Sequence, residues 1–400
     1  MATGVLRLAK GLEWQDGAGY RLAKLPVPAQ GKVGFTSLPI TRMGIQFTNR
    51  VSKLGLAKRS NLTNGSGVAL GDVNGDGLCD IYFCRLEGDN QLYLNQGNLR
   101  FQLAPKENGA AATGYLTRGA AFADLDGDND LDLVLTTFRK GTLCLNNDGN
   151  GVFADVTKDV GLESMASGTS VALGDVDRDG DLDLYVAHYI DWYHLADPTS
   201  RFEYARQGEQ WRVTRINGES TLKPKWKGRF TVSSTGRLRE LPEADRLYLN
   251  NGNGSFHDVS EELLFVIGGE ARSLASLREW GLAVTFRDVN NDRLPDLYVC
   301  NDFASPDRFW LNKGKGGFVL LDHQNVRHTS RSSMGVDFTD LNSDGVPDFM
   351  LLDMLDPSRA RRLVQLEKVV ERSSRLLDWT YVPRFNRNVL MVSQGGSLWF

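Results

Sequence analysis

Apolar residues along this chain come in short consecutive runs, three or four at a time, and not at the i, i+3, i+4 spacing of an amphipathic helix. Val68-Ala69-Leu70, Ile81-Tyr82-Phe83-Cys84, Leu92-Tyr93-Leu94 and Phe101-Gln102-Leu103 form one such set, separated by Asp-, Asn- and Gly-rich segments. Runs of this length between turn residues predict β-strands. Each is apolar on both faces, and such a strand has to be covered on both faces, as in a small sheet wedged between two others.

The set repeats. DVNGDGLCD begins at Asp72, DLDGDNDLD at Asp124, DVDRDGDLD at Asp175, DVNNDRLPD at Asp288 and DLNSDGVPD at Asp340, with first residues 52, 51, 113 and 52 apart. After each comes a second landmark: LYLNQGNLRF, LCLNNDGNGVF, LYLNNGNGSF, FWLNKGKGGF and, in weaker form, VLMVSQGGSLWF. Four strands in a period of about 50 residues predict an all-β chain, a β-propeller of four-stranded blades, of which five are present.

Positions 1, 3, 5 and 9 of every nonapeptide are Asp or Asn, and the carbonyl of position 7 is free to join them. The candidate ligands are Asp72, Asn74, Asp76, Leu78 and Asp80 in loop 1, and Asp124, Asp126, Asp128, Asp130 and Asp132 in loop 2. Loop 3 offers Asp175, Asp177, Asp179, Asp181 and Asp183, and loop 4 Asp288, Asn290, Asp292, Leu294 and Asp296. Loop 5 offers Asp340, Asn342, Asp344, Val346 and Asp348. Hard oxygen donors without His or Cys select Ca²⁺ over zinc or copper. Position 6, where a left-handed turn is needed, is Gly77, Asn129, Gly180 and Gly345, but Arg293 in loop 4, which makes that loop the weakest candidate.

An EF-hand opens with a similar acidic run but needs a Glu at position 12 between two helices. Position 12 here is Phe83, Leu135, Val186, Val299 and Leu351, all apolar strand residues, so that reading fails. Without a cation, neighbouring carboxylates would repel by up to about 4 kcal/mol a pair at an effective dielectric near 20. Five such loops therefore argue for up to five Ca²⁺ in structural, non-catalytic roles.

Charge alone gives no such hint, since 46 basic and 50 acidic residues leave a net charge of -4. Seventeen of those acids stand at side-chain ligand positions, so five Ca²⁺ would bring the total to +6 and leave a basic remainder of +13. Cys79, Cys84, Cys144 and Cys300 show neither a disulfide framework nor a zinc spacing and read as small buried hydrophobes. The opening residues contain no signal peptide, and no run of 18 uncharged apolar residues exists to span a membrane.

The pattern G-x-A-L-G-D-V-N-G-D-G-x-x-D, followed by N-x-L-Y-x-N-x-G-x-G-x-F, resembles the FG-GAP/VCBS repeat of the integrin α-subunit propeller. The order GIQFTNRVSKLGL, GSGVALGDVNGDG, FADVTKDVGL is similar to bacterial ASPIC/UnbV proteins related to cartilage acidic protein, over about Gly44 to Phe400. The resemblance implies a calcium-loaded propeller used for adhesion or recognition in an extracellular, periplasmic or cell-surface setting. Those families close seven blades, so the chain is expected to be part of a longer protein. The expected organisation is an N-terminal extension, 1–43, and a propeller, 44–400, with insertions at about 188–244 and 354–386.

Both insertions fall between the second and third strands of a blade, at the end opposite the acidic loops. Long structured excursions in a compact repeat are usually functional. The first carries Trp192, Tyr193, His194, Trp211 and KPKWKGRF; the second opens with Asp356-Pro357 and reads as an amphipathic helix. Basic residues interleaved with aromatics suit an acidic polysaccharide or an acidic protein surface. The alternative is that the tryptophans pack back onto the propeller. With five histidines and no HExxH, G-x-S-x-G or phosphate loop, no catalytic residue is assigned, and His194 reads as a surface loop residue. Two readings result: a calcium-dependent recognition module for a protein or polysaccharide ligand, or a propeller-fold polysaccharide lyase or hydrolase. No nucleic-acid partner is indicated.

Overall fold

The computed structural model describes residues 14–17, 20–23, 37–53, 55, 65–190, 194–208, 210–223, 226–233, 236–302, 305–322, 325–326, 328–342, 344–354, 358, 384–385 and 388–393. The chain divides into two units, 1–43 and 44–400. In the first, Trp14–Gly17 pairs antiparallel with Tyr20–Ala23.

The second unit is a run of antiparallel blades. Blade 1 is Val68–Gly71, Asp80–Phe83, Gln91–Asn95 and Phe101–Leu103. Blade 2 is Thr117–Ala123, Asp132–Thr137, Thr142–Asn147 and Phe153–Asp155. Blade 3 is Gly168–Gly174, Asp183–His188, Arg246–Asn250 and Phe256–Asp258. Blade 4 contains Gly281–Arg287, Asp296–Asn301, Arg308–Asn312 and Phe318–Leu320. Of blade 5, Ser333–Thr339, Asp348–Asp353 and Val389–Met391 are described.

The blades pack face to face, and the core is a series of slabs between them. In blade 2, Leu133 and Leu135 face the slab shared with blade 1, whereas Val134 faces the one shared with blade 3. Leu184 and Val186 likewise turn back to blade 2 while Tyr185 turns forward to blade 4. This two-sided burial is why the strands are not amphipathic. One aromatic contact recurs: Tyr82 meets Phe122 edge-on at 6.1 Å, Tyr185 meets Phe286 at 6.4 Å, and Tyr298 meets Phe338 at 6.1 Å. In each case a second-strand tyrosine receives a first-strand phenylalanine of the next blade. At the two ends the matching residues, Leu70 and Met350, are exposed.

First strands of successive blades lie side by side around a cavity of about 580 Å³ lined by Val68, Ala120, Val171, Ala283 and Met334, one from each blade. The approach is close: a Cβ on Gly67 would lie 2.8 Å from the Arg118 carbonyl of the next blade, so only glycine fits.

Three features depart from the simple repeat. Leu264–Ile267 pairs parallel with the outer strand of blade 4 and antiparallel with Glu270–Ser273, so that sheet has six strands. The first insertion is a small folded body. Phe202–Gln207, Gln210–Ile216 and Glu219–Ser220 form one sheet, Phe230–Val232 and Leu238–Glu240 a hairpin, and Val213, Ile216, Trp226, Phe202, Phe230, Val232 and Leu238 a core between them. The helix expected in the second insertion lies outside the described residues. Among the described residues no helix is long and apolar enough to cross a membrane. Cys84, Cys144 and Cys300 are buried as expected, but Cys79 is exposed, because it belongs to an acidic loop and not to the strand that follows.

Candidate metal centres

Each acidic loop joins the first and second strands of its blade, and all five are wired alike. The position-9 aspartates Asp80, Asp132, Asp183, Asp296 and Asp348 are at most 2% exposed. One oxygen of each accepts the N–H of position 2, as from Val176 to Asp183 at 2.7 Å, and the other accepts an N–H at the end of the third strand, as from Asn250 at 2.9 Å. Equivalent pairs serve Asp80, Asp132, Asp296 and Asp348. Position 1 caps the turn: Asp72 accepts from Asp76 and Gly77, and Asp340 from Asp344 and Gly345. Position 5 accepts from position 7, as Leu78 N–H does to Asp76 at 2.8 Å.

Position 6 is left-handed in all five: Gly77 (φ 81°), Asn129 (72°), Gly180 (102°), Arg293 (70°) and Gly345 (84°). Arg293 holds this conformation against its own Cβ, at a cost of about 1 kcal/mol. Arg293→Gly is expected to stabilise the protein by about that amount in urea unfolding; an unchanged or lower midpoint would refute the strain.

The loops fall into two classes. In loops 2 and 3 a carboxylate oxygen from each of Asp124, Asp126 and Asp128, and from each of Asp175, Asp177 and Asp183, lie within 4.8 Å of one another. Among the described residues, loops 1, 4 and 5 show no such three-carboxylate group. There Asn74, Asn290 and Asn342 occupy position 3 and donate to Asp76, Asp292 and Asp344 at 3.1, 2.9 and 2.9 Å, an amide relieving the repulsion a third acid would add. Oδ1 of Asp130, Asp177 and Asp288 is buried without a hydrogen-bond partner. A buried carboxylate oxygen that no protein donor reaches is what a cation fills. The donor sets therefore fit calcium, with the all-acid loops 2 and 3 the stronger sites. The carboxyls respond to the crowding: burial, then Asp128 and Asp132, push Asp130 up to about 6, and burial pushes Asp183 to about 7 and Asp296 to about 6.

These loops also lock blade to blade. Asn147, at the end of the third strand of blade 2, donates its side-chain amide at 2.8 Å to the carbonyl of Val73, position 2 of the preceding loop. Asn250 does the same to Leu125 and Asn312 to Val176, each at 2.8 Å. The residue that bonds its own loop's position-9 carboxylate through its main-chain N–H thus reaches across to the neighbouring loop through its side chain. In the sequence this asparagine marks only a turn, and its regular place in L-Y-L-N is the signal of the second role.

At the opposite end, two buried carboxylates escaped the sequence reading. Asp245 accepts the Tyr185 hydroxyl at 2.8 Å and the His188 N–H at 2.6 Å. Asp307 accepts the Tyr298 and Ser333 hydroxyls at 3.0 and 2.6 Å. Burial raises both to about 7. The recurring D-R-L-Y and D-R-F-W before the third strand was their mark.

The first insertion leaves the same end. His194, expected at the surface, is buried: its ring stands edge-on to Trp226 at 5.0 Å, and Nδ1 lies 3.4 Å from the Ser200 hydroxyl. Asp191, Trp192 and Tyr193 lie outside the described residues. Trp226 packs inward and donates its indole N–H to Glu219 at 3.0 Å, whereas Trp211 is 49% exposed. The two readings of the tryptophans therefore split by residue. Arg229, 3% exposed, ties the insertion's base together through Glu240 at 3.3 Å and Glu243 at 3.5 Å.

The FG-GAP-like repeat family matches residues 72–135, 124–186 and 288–351, each match running from one acidic loop through the next. Cartilage acidic protein 1 of Mus musculus is 30% identical over 152 residues, 35% of this chain and 22% of that protein. The Homo sapiens protein of the same name is 29% identical over 152 residues, with the same coverage. The chain thus spans 22% of the length of these curated relatives. Among solved structures, the GH43_1 enzyme from Xanthomonas citri complexed with xylose aligns at a TM-score of 0.36 and 10% identity, over 71% of this chain and 80% of that one.

Proposed function

Starting from a chain of FG-GAP repeat propeller type, homologous in part to cartilage acidic protein 1, we propose that it is a calcium-stabilised recognition module that works outside the cytoplasm and presents its inserted face to a protein or polysaccharide ligand. The observation that carries the reading is the buried, unpartnered carboxylate oxygens of Asp177 and Asp288, at positions 3 and 1 of their acidic loops. Bound there, Ca²⁺ supplies charge neutralisation and no chemistry. Position-1, -3, -5 and -9 side chains and the position-7 carbonyl would hold it.

The chain's own residues do the rest: the Asn147, Asn250 and Asn312 amides transmit the order of one loop to the next blade. Calcium at about 1 mM, the extracellular range, suits sites of this class. Isothermal titration with CaCl₂ tests the proposal. Heat of binding is expected in the wild type, with the tightest sites weakened in Asp126→Asn and Asp177→Asn. No binding up to about ten times the usual dissociation constants of such modules would overturn it.

A further inference from the structure

We infer that the hairpin formed by Phe202–Gln207 and Gln210–Ile216 is a binding element for an anionic polysaccharide, with Trp211 and Tyr204 stacking on sugar rings and Arg206 pairing with their carboxylate or sulfate groups. The inference deepens the proposed recognition role and rests on it.

Arg206 lies directly across the hairpin from Trp211, and Tyr204 is two residues along on the same face, opposite Val213. Cross-strand partners have Cβ atoms about 5 Å apart, so a guanidinium and an indole stand side by side. Val213 is buried in the insertion's core, but Trp211 and Tyr204, beyond that core's edge, stay 49% and 46% exposed. Two half-exposed rings fixed on a paired strand are preorganised for contact at low entropic cost. On the other face stands Arg212, also exposed.

The charge is one-sided. From 201 to 240 the sequence has ten Lys or Arg against four acids. Glu203 is paired with Arg215, Glu219 with Lys223 and Glu240 with Arg229. Neither Arg206 nor Arg212 lies within ion-pairing distance of a carboxylate among the described residues. A ring that stacks beside a planar donor that forks onto an oxyanion matches a sugar bearing a carboxylate or sulfate, which offers an apolar ring face and an anion together. Duplex nucleic acid offers the anion but hides its stacking faces.

Binding of the calcium-loaded protein to polygalacturonate, chondroitin sulfate, neutral dextran and single-stranded DNA is compared by fluorescence titration. Wild-type protein is expected to bind at least one charged polysaccharide and not dextran. Trp211→Ala should weaken that binding about tenfold, which is about 1.4 kcal/mol. Arg206→Gln should weaken it and flatten its salt dependence, whereas Arg212→Gln, on the opposite face, should change it much less. All three variants should keep the wild-type melting temperature, because the residues are exposed. Three results overturn the inference: no binding by folded protein, binding untouched by Trp211→Ala, or a tighter Trp211-dependent complex with single-stranded DNA. Repeating the titration in EGTA separates this inference from its premise. Failure of the calcium sites removes the metal dependence and leaves polysaccharide binding readable, whereas failure of the hairpin leaves calcium binding intact.

Discussion

Transfer from 1 mM calcium to EGTA is expected to lower the unfolding free energy by several kcal/mol. At a dissociation constant of about 10⁻⁴ M, each site contributes on the order of 1.4 kcal/mol. Five sites approach 7 kcal/mol, against a total stability of about 5–15 kcal/mol for a typical domain. The loss should be cooperative across blades, because the side chain of Asn250 bonds loop 2 while its main-chain N–H bonds Asp183 of loop 3. Differential scanning calorimetry with and without EGTA is the measurement, and a coincident melting temperature in both buffers would dispose of the metal reading. Loops 2 and 3 should each contribute more than any one of the other three. Their third position is an aspartate, whereas Asn74, Asn290 and Asn342 stand there in the other loops and each already satisfies one acid.

Arg229→Ala is the second large effect. The guanidinium is buried between Glu240 and Glu243, and Glu240 is itself 5% exposed and accepts the Leu195 N–H at 3.0 Å. Removing the cation strands a buried carboxylate, at a cost of about 3–5 kcal/mol. The damage should stay local. Glu243 is also held by the Ser167 N–H at 2.5 Å, on the propeller side, so the blades survive while the insertion opens. Amide hydrogen exchange reads this directly: Val213 and Ile216 should lose protection in Arg229→Ala while Leu133 and Val186 keep theirs. Glu240→Gln, which retains an acceptor for Leu195 and removes the stranded charge, should cost much less. Equal loss of protection in the insertion and the blades would show that the ion cluster is not local.

The repeat, the strand order and the acidic loops were legible in the sequence because they are local facts. A nonapeptide with acids at alternate positions and glycine at position 6 specifies its turn by nearby backbone hydrogen bonds, and Arg293 in that place still adopts the same φ of 70°. Runs apolar on both faces announced wedged sheets, which the alternation of Leu133, Val134 and Leu135 between two slabs bears out. What the sequence could not carry was partnership at long range. Asn147 to Val73, Asn250 to Leu125 and Asn312 to Val176 span 74, 125 and 136 residues, and nothing in a strand end says which carbonyl its side chain will meet. The insertion shows the same division. Trp211 and Trp226 look alike as residues in a basic stretch, and only the small core around Val213 and Ile216 decides that one is buried and the other faces solvent. Local turn chemistry acts within a few residues and is written in order along the chain. Burial and cross-blade bonding depend on which surfaces the folded chain brings together, and those are settled only in three dimensions.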